Sequence, residues 1–106
     1  MAVPIISETE FEGKVLNSPI PVMVDFYADW CGPCKMAEPV LEELMEENEG
    51  KVSVVKMNVD ESKDTPAKYS ILSIPTTVMI VKGEEVGRQS GFAGRKAYEE
   101  LISKVK

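Results

Sequence analysis

The sequence predicts an α/β fold in which a mixed five-stranded sheet is flanked by four helices, in the order βαβαβαββα. Runs of β-branched residues alternate with stretches of helical periodicity along much of the chain. One of the strands is apolar on both faces, as expected for a sheet covered by helices on two sides. The last two strands are joined by a link so short that only an antiparallel hairpin can use it.

The opening of the chain indicates the first strand and the first helix. Residues 3–6 form a short apolar run, and Ser7 is followed three residues later by Glu10, the spacing of a helix capping box. We expect the helix to end before the breaker cluster at residues 17–19. Its apolar side carries Phe11, Val15 and Leu16.

The second strand, residues 21–28, leads into a turn with the sequence Cys31-Gly32-Pro33-Cys34. Apolar side chains then recur at helical spacing until Gly50, which predicts a long second helix. Because this periodicity continues across Pro39, we expect a kink there and not an end. The apolar stripe consists of Met36, Ala37, Val40, Leu41, Leu44 and Met45.

A third strand and a short third helix follow. Residues 52–59 are rich in β-branched side chains, which favour a strand. Thr65 and Pro66 suit the N-cap and the first turn of a helix that continues through Tyr69. The region therefore completes the alternation of strands and helices.

The end of the chain predicts a hairpin and a last helix. Residues 76–81 and 86–90 are the two strands, joined by residues 82–85. The last helix begins near Arg95. Its buried stripe contains Ala97, Tyr98, Leu101, Ile102 and Val105.

Composition and charge exclude several classes of function. The chain has 106 residues, 43% of them hydrophobic, enough for one domain over residues 1–106. Its net charge of −6 argues against a nucleic-acid partner. No apolar run approaches the roughly 18 residues of a membrane helix, and residues 1–6 lack the features of a signal peptide. We therefore expect a cytoplasmic monomer with no membrane or nucleic-acid partner.

The chain has two cysteines and no histidine. In a reducing compartment such a pair is more often catalytic or metal-binding than structural. A zinc site usually needs four Cys or His ligands, and an iron–sulfur cluster commonly needs four thiolates. Haem attachment needs His directly after the second cysteine, where Lys35 stands. We therefore predict reversible disulfide chemistry without a bound cofactor or metal.

The strand-to-helix turn suggests unequal roles for the two sulfurs. Unpaired N–H groups and a partial positive charge at a helix N-terminus favour a thiolate. Cys31 precedes the helix and can face solvent, so it is the candidate nucleophile, while Cys34 lies nearer the core. Gly32 leaves the first sulfur accessible, and Pro33 suits the first helical position. The alternative interpretation is a passive pair that packs as small hydrophobes.

Asp25 interrupts the apolar strand at residues 21–28. Burying a carboxylate without a partner is costly, which favours a raised pKa or a specific task. A buried Cys34 must lose its proton before it can attack, and this requires a nearby base. Asp25 is the candidate base, and an ordinary hydrogen-bonded aspartate at a strand end is the alternative.

The chain resembles the thioredoxin family along essentially its whole length. The resemblance rests on Trp30 and Lys35 on either side of the cysteine motif, Asp25 six residues before the first cysteine, and the run Ile74-Pro75-Thr76. Tyr27 departs from the Trp that many thioredoxins carry, but it keeps a large aromatic side chain. The resemblance implies the thioredoxin fold and a reductant of disulfides in partner proteins that serves cell redox homeostasis. It also implies re-reduction by a thioredoxin reductase.

Further site residues are implied by the resemblance. Lys56 should lie near Asp25 and bias its ionisation, whereas a strand lysine taken alone more often extends to solvent. Pro75 should be cis and should expose the backbone of Ile74 to an extended substrate segment. The rim that binds substrates around Cys31 would comprise Trp30, Gly32, Pro33, Ile74, Pro75 and Gly91, with Phe92 and Ala93 beside it.

Two other functions are weighed against this one. An oxidase or isomerase would share the fold, but such relatives usually carry His between the cysteines, where this chain has Gly-Pro. The second alternative is a binding subunit of a larger complex in which the thiols are incidental. A Cys31→Ser/Cys34→Ser variant that kept full biological function would favour that alternative.

Overall fold

The computed structural model describes residues 1–106 and contains four strands in one sheet. The elements are α1 (Glu8–Phe11), continued by a π-helical segment (Glu12–Leu16), β1 (Val22–Tyr27), α2 (Gly32–Glu47), β2 (Ser53–Asn58), α3 (Asp64–Lys68), β3 (Thr76–Val81), β4 (Glu84–Ser90) and α4 (Arg95–Ser103). The predicted α/β class is confirmed, and the element order from the first helix onward is as expected.

The sheet is mixed, with the strand order β2-β1-β3-β4. Strand β1 is parallel to β2 and antiparallel to β3, and β3 pairs antiparallel with β4. The hairpin turn consists of Lys82 and Gly83, with φ of 50° and 83°, the positive values that tight hairpin turns require. Strand β4 thus begins two residues earlier than expected. Opposite Met79 and Ile80 it contains a bulge, which leaves Val86 as the extra residue.

The prediction of a fifth strand at residues 3–6 was wrong. Only a single bridge forms there, between Ile5 and Lys56, supported by backbone hydrogen bonds from Ile6 N to Lys56 O and from Lys56 N to Pro4 O, both 2.9 Å. Pro4 has no N–H group to donate, so the ladder cannot extend toward the N-terminus. The segment nevertheless lies along β2, and the side chains of Val3 and Ile6 are buried.

Two expectations about helices also need correction. Thr65 is not the N-cap of α3, since the helix begins at Asp64, and the Thr65 N–H donates to Glu8 Oε1 at 3.0 Å. A carboxylate from α1 therefore caps a donor at the start of α3. Met36 is 63% exposed and lies outside the buried stripe of α2, which continues across Pro39 without ending.

The two faces of the sheet are packed by different helices. Alternate residues of β1 point to opposite faces, so Val24 and Phe26 face one side while Met23 and Asp25 face the other. The first face packs against α1, its π-helical extension and the chain after α3, forming an apolar cluster with Phe11 among its members. The second face packs against α2 and α4. This second face carries the candidate site.

Candidate active site

The cysteines lie where β1 ends and α2 begins. Cys31 is the N-cap of α2, with extended backbone (φ −88°, ψ 111°), and its Sγ accepts a hydrogen bond from the Cys34 N–H at 3.2 Å. Gly32 and Pro33 occupy the first two helical positions, so Pro33 stands one position later than expected. The N–H that proline lacks would have no intrahelical partner at either position. The turn therefore directs the Cys34 N–H and the N-terminal end of the helix at the Cys31 sulfur, which is the setting that stabilises a thiolate.

Cys31 and Cys34 form a disulfide, with their Cα atoms 5.3 Å apart. The expectation that Cys31 would be the more accessible of the two is wrong for this oxidised form, because the residues are 4% and 5% exposed. Their surroundings differ instead. Cys31 faces the N-terminal end of α2, whereas Cys34 lines a pocket that also contains Asp25.

Asp25 belongs to a row of polar residues on the face that packs against α2 and α4. Its Cα partners are Lys56 on β2 and Thr77 on β3, so the three side chains project to the same face. Asp25 is 3% exposed, and the Thr77 hydroxyl donates a hydrogen bond to its Oδ1 at 3.2 Å. The buried acid that the sequence indicated is therefore present, with a single hydroxyl donor.

Burial dominates the ionisation of Asp25. Loss of water raises the pKa of Asp25 to about 7, against the lowering effects of the Thr77 hydrogen bond and the Lys56 charge, and Glu38 adds a further raising effect. A carboxyl group with this pKa can hold or release a proton near neutral pH.

Lys56 neither extends freely to solvent nor pairs directly with Asp25. Its side chain is 12% exposed, its Nζ lies 3.1 Å from Glu38 Oε1, and it stands 4.7 Å from the centre of the Tyr27 ring. Glu38 is four residues after Cys34 on α2, hence on the same side of that helix. The sequence analysis missed Glu38, although this spacing was a usable signal.

One pocket of about 340 Å³ connects these groups. Cys34, Asp25, Glu38 and Lys56 all line it. The remaining lining residues are Val3, Ile5, Tyr27, Ala28, Asp29, Lys35 and Leu41. The pocket gives the second cysteine, but not the first, a shared space with an acid of near-neutral pKa.

An apolar groove of about 400 Å³ lies between Trp30 and the loop before β3. Trp30 is 71% exposed and forms one wall, with its indole N–H donating to Asp60 Oδ2 at 2.8 Å. Leu72 is 95% exposed, and the sequence analysis did not single it out. The other lining residues are Val59, Pro66, Ile71, Ser73 and Ile74.

The loop before β3 brings the remaining predicted residues to the turn. The Ile74–Pro75 peptide bond is cis, as the resemblance implied, and Ile74 packs against the cluster that contains both cysteines. The Gly91 N–H donates to Pro75 O at 2.7 Å, and Gly91 has a φ of 78°, which favours glycine. Phe92 does not join the rim, because it packs against Tyr98 with ring centres 6.2 Å apart.

The residues do not assemble a metal site, since no group of three or more Cys, His, Asp or Glu side chains is suitably placed. None of the helices has both the length and the apolar character needed to cross a membrane. The Cys31–Cys34 disulfide, with the pocket that Cys34 shares with Asp25, is the redox-type centre of this geometry.

Comparison with known proteins gives a consistent result. The family model described as Thioredoxin matches residues 2–106. A thioredoxin of Haemophilus influenzae is 52% identical over 86 residues, covering 81% of this chain and 80% of that protein. A thioredoxin of Rickettsia conorii is 42% identical over 99 residues, covering 93% and 94%. The chloroplastic M-type thioredoxin of Brassica napus is 46% identical over 83 residues, covering 78% of this chain and 47% of that protein.

Proposed function

This chain belongs to the thioredoxin family, and from that premise we propose how its residues divide the work of reducing a disulfide. The protein is a thiol–disulfide oxidoreductase with a Cys-Gly-Pro-Cys redox centre. It reduces disulfides in other proteins by exchange with its own dithiol. The observation that carries the proposed division is the pocket shared by Cys34 and Asp25.

In the first step, the Cys31 thiolate attacks a disulfide of the substrate protein. A bond forms between Cys31 Sγ and one substrate sulfur, and the other substrate sulfur leaves as a thiolate that takes up a proton. The Cys34 N–H and the N-terminal end of α2 stabilise the attacking thiolate. Cys31 is therefore the nucleophile that we assign to this step.

In the second step, Asp25 takes the proton of the Cys34 thiol, directly or through water in the shared pocket. The Cys34 thiolate then attacks Cys31 Sγ, so a Cys31–Cys34 bond forms and the bond from Cys31 to the substrate sulfur breaks. That sulfur leaves as a thiolate and takes up a proton. Two electrons have then passed from the dithiol to the substrate, and the Cys31–Cys34 pair is left oxidised as a disulfide. Because the pKa of Asp25 lies at about 7, its basic form is available near neutral pH.

Lys56 acts on Asp25 through charge. Its ammonium group lowers the pKa of Asp25, and its ion pair with Glu38 reduces the opposing effect of that carboxylate. We assign Lys56 a positioning role, because its ammonium group contacts Glu38 and the Tyr27 ring and not either sulfur.

The apolar groove supports a substrate-binding role for the rim around Cys31. Exposed Trp30 and the adjoining Ile74 border the turn that carries the disulfide. Apolar surface of this kind is suited to flexible segments of partner proteins. The proposed rim comprises Trp30, Gly32, Pro33, Ile74, Pro75 and Gly91.

The oxidised pair must be reduced again before the next cycle. We assign this to a thioredoxin reductase, which would deliver two electrons and two protons to the Cys31–Cys34 disulfide. A reducing compartment such as the cytoplasm suits this cycle. Equilibration with dithiol buffers should then give a reduction potential near the family value of about −270 mV, and a value nearer about −180 mV would indicate isomerase chemistry.

The base role is tested by Asp25→Asn, with Asp64→Asn, at an exposed position of α3, as the matched control. Rapid-mixing experiments should record the attack and resolution steps separately. We expect resolution by the Asp25→Asn variant to slow by about 100-fold at pH 8 and by about 10-fold at pH 6, where only about a tenth of wild-type Asp25 is ionised, with the attack step unchanged. Equal slowing at both pH values, or none at pH 8, would remove Asp25 from the mechanism.

A further inference from the structure

Tyr98 on α4 has a buried hydroxyl group that the mechanism above does not use. The residue is 0% exposed, and its hydroxyl oxygen has no hydrogen-bond partner. Buried hydroxyl groups are normally paired, and phenylalanine would fill almost the same space without an unpaired group. Tyr98 is the one residue whose buried side-chain polar atom lacks a partner. A specific use for this hydroxyl would account for it.

The surroundings of Tyr98 indicate what that use is. Its ring belongs to the cluster between the sheet, α2 and α4, the same face on which Asp25 and Thr77 project. Burial, followed by the negative charge of Asp25, raises the pKa of Tyr98 to about 12, while the Thr77 hydroxyl acts in the opposite direction. Met23 and Met79, which belong to the same cluster as Tyr98, are the same-face neighbours of Asp25 and Thr77 on β1 and β3. The hydroxyl therefore lies on the part of the sheet where Asp25 and Thr77 already share a hydrogen bond.

Thr77 can join the two groups. A threonine hydroxyl has one hydrogen to donate and two lone pairs to accept with. The hydrogen of Thr77 is directed at Asp25 Oδ1 at 3.2 Å, so its lone pairs remain for a second donor on the side of α4. The Tyr98 hydroxyl has a hydrogen without an acceptor.

We propose that Tyr98 is a positioning residue for Asp25: when the carboxyl group is ionised, the Tyr98 hydroxyl donates to Thr77 Oγ1, and Thr77 Oγ1 donates to Asp25 Oδ1. Each hydrogen bond in such a chain polarises the next one, and the effect is strongest on a charged acceptor in a water-poor site. The chain therefore stabilises the ionised form of Asp25. The inference deepens the proposed function, since it concerns the acid that we assign as the base.

Other charged and titratable groups also act on Asp25. Lys56 reaches it from β2 and Glu38 from α2, and the reduced Cys34 thiol shares their pocket. Asp29 and Lys35 line the same pocket. None of these groups is altered by replacing Tyr98 with phenylalanine, so that substitution isolates the hydroxyl.

The test is a carboxyl-carbon NMR titration of Asp25 in the oxidised protein, where neither cysteine titrates. We expect Tyr98→Phe to move the midpoint upward by about one pH unit, because the ionised form loses a charge-assisted chain of hydrogen bonds. Tyr69→Phe, which removes a hydroxyl on the opposite face, should leave the midpoint in place. A midpoint that is unmoved or lower in Tyr98→Phe would overturn the proposal, whatever happens to the melting temperature.

A second substitution tests the route through Thr77. Thr77→Val removes the middle of the chain, so adding Tyr98→Phe to it should cause no further rise of the midpoint. An equal rise in both backgrounds would overturn the chain. Because NMR reads Asp25 directly, a midpoint that rises while the pH profile of mixed-disulfide resolution stays fixed would support the hydroxyl chain and contradict the base role of Asp25.

Discussion

The two faces of the central sheet differ in a way that separates stability from chemistry. The face toward α1 is packed by apolar side chains, among them Val24 and Phe26 of β1, apart from buried Thr76, whose hydroxyl donates to Ser73 O. The face toward α2 and α4 has a similar apolar cluster but also carries Asp25 and Thr77, both buried. Strand β1 thus contributes only apolar side chains to one face of the sheet. To the other face it contributes an ionisable group whose burial lowers the stability of the fold. This destabilising group, Asp25, lies in the half of β1 that leads into the cysteines.

The largest change in stability is expected from a substitution on the apolar face toward α1. Phe26→Ala should lower the free energy of unfolding by about 3–5 kcal/mol, since it removes a fully buried ring and leaves a cavity. Urea unfolding measures this loss. The Asp25 titration midpoint should remain near its wild-type value, and a large shift would show that the two faces are not independent.

The next effect concerns the cost of the buried acid. The pKa of Asp25 is about 7 in the folded protein against a reference of 3.8, so the folded state holds the proton more tightly and loses stability as the pH rises through this window. The loss amounts to about 4 kcal/mol when the pH is well above 7. Asp25→Asn removes it. The free energy of unfolding of the variant, relative to that of the wild type, should therefore rise by about 4 kcal/mol between pH 4 and pH 8. Parallel plots of unfolding free energy against pH for the two proteins would contradict a destabilising burial of Asp25.

A smaller loss of stability is expected when a polar group is added to the apolar face toward α1. Val24→Thr keeps the shape of the side chain but adds a hydroxyl to a cluster of apolar side chains. We expect the free energy of unfolding to fall by about 1–3 kcal/mol, because no partner offsets the lost hydration. Unfolding in urea at pH 5 tests this without interference from Asp25 ionisation. An unchanged stability would mean that the apolar face tolerates polar groups as well as the other face does.

The smallest effect is electrostatic. Lys56→Met removes a cation that lowers the pKa of Asp25 and leaves Glu38, which raises it, without its partner. The Asp25 titration midpoint should therefore move upward, as followed by carboxyl-carbon NMR. Lys35→Met is the control, since Lys35 is not among the groups that shift Asp25. Equal shifts in both variants would contradict a specific role for Lys56.

Local patterns were sufficient to predict most of the site. An acid within an apolar run identified Asp25 as buried, and a proline and glycine between two cysteines placed them at a strand-to-helix turn. These features depend on neighbours in sequence, so periodicity reveals them. Glu38 was within reach of the same reasoning, because it lies one helical turn after Cys34.

The features that were missed depend on contacts between distant parts of the chain. Capping of Thr65 by Glu8 joins α1 to α3, and Tyr98 reaches the face of the sheet that carries Asp25 only because α4 packs on it. The missing first strand depends on how far Pro4 allows pairing with β2. The near-equal burial of the two cysteines likewise arises from the shape of the closed turn. Sequence spacing carries no information on these distances.

The bulge in β4 has a consequence for how the protein behaves in concentrated solution. Strand β4 is an edge of the sheet, and unpaired edges invite other strands to add and polymerise. Val86, the extra residue at the bulge, interrupts the regular row of hydrogen-bonding groups, and the exposed charges of Glu84, Glu85 and Arg88 oppose the approach of a second sheet. A protein that acts on disulfide substrates is thereby protected from aggregating with other chains along this edge.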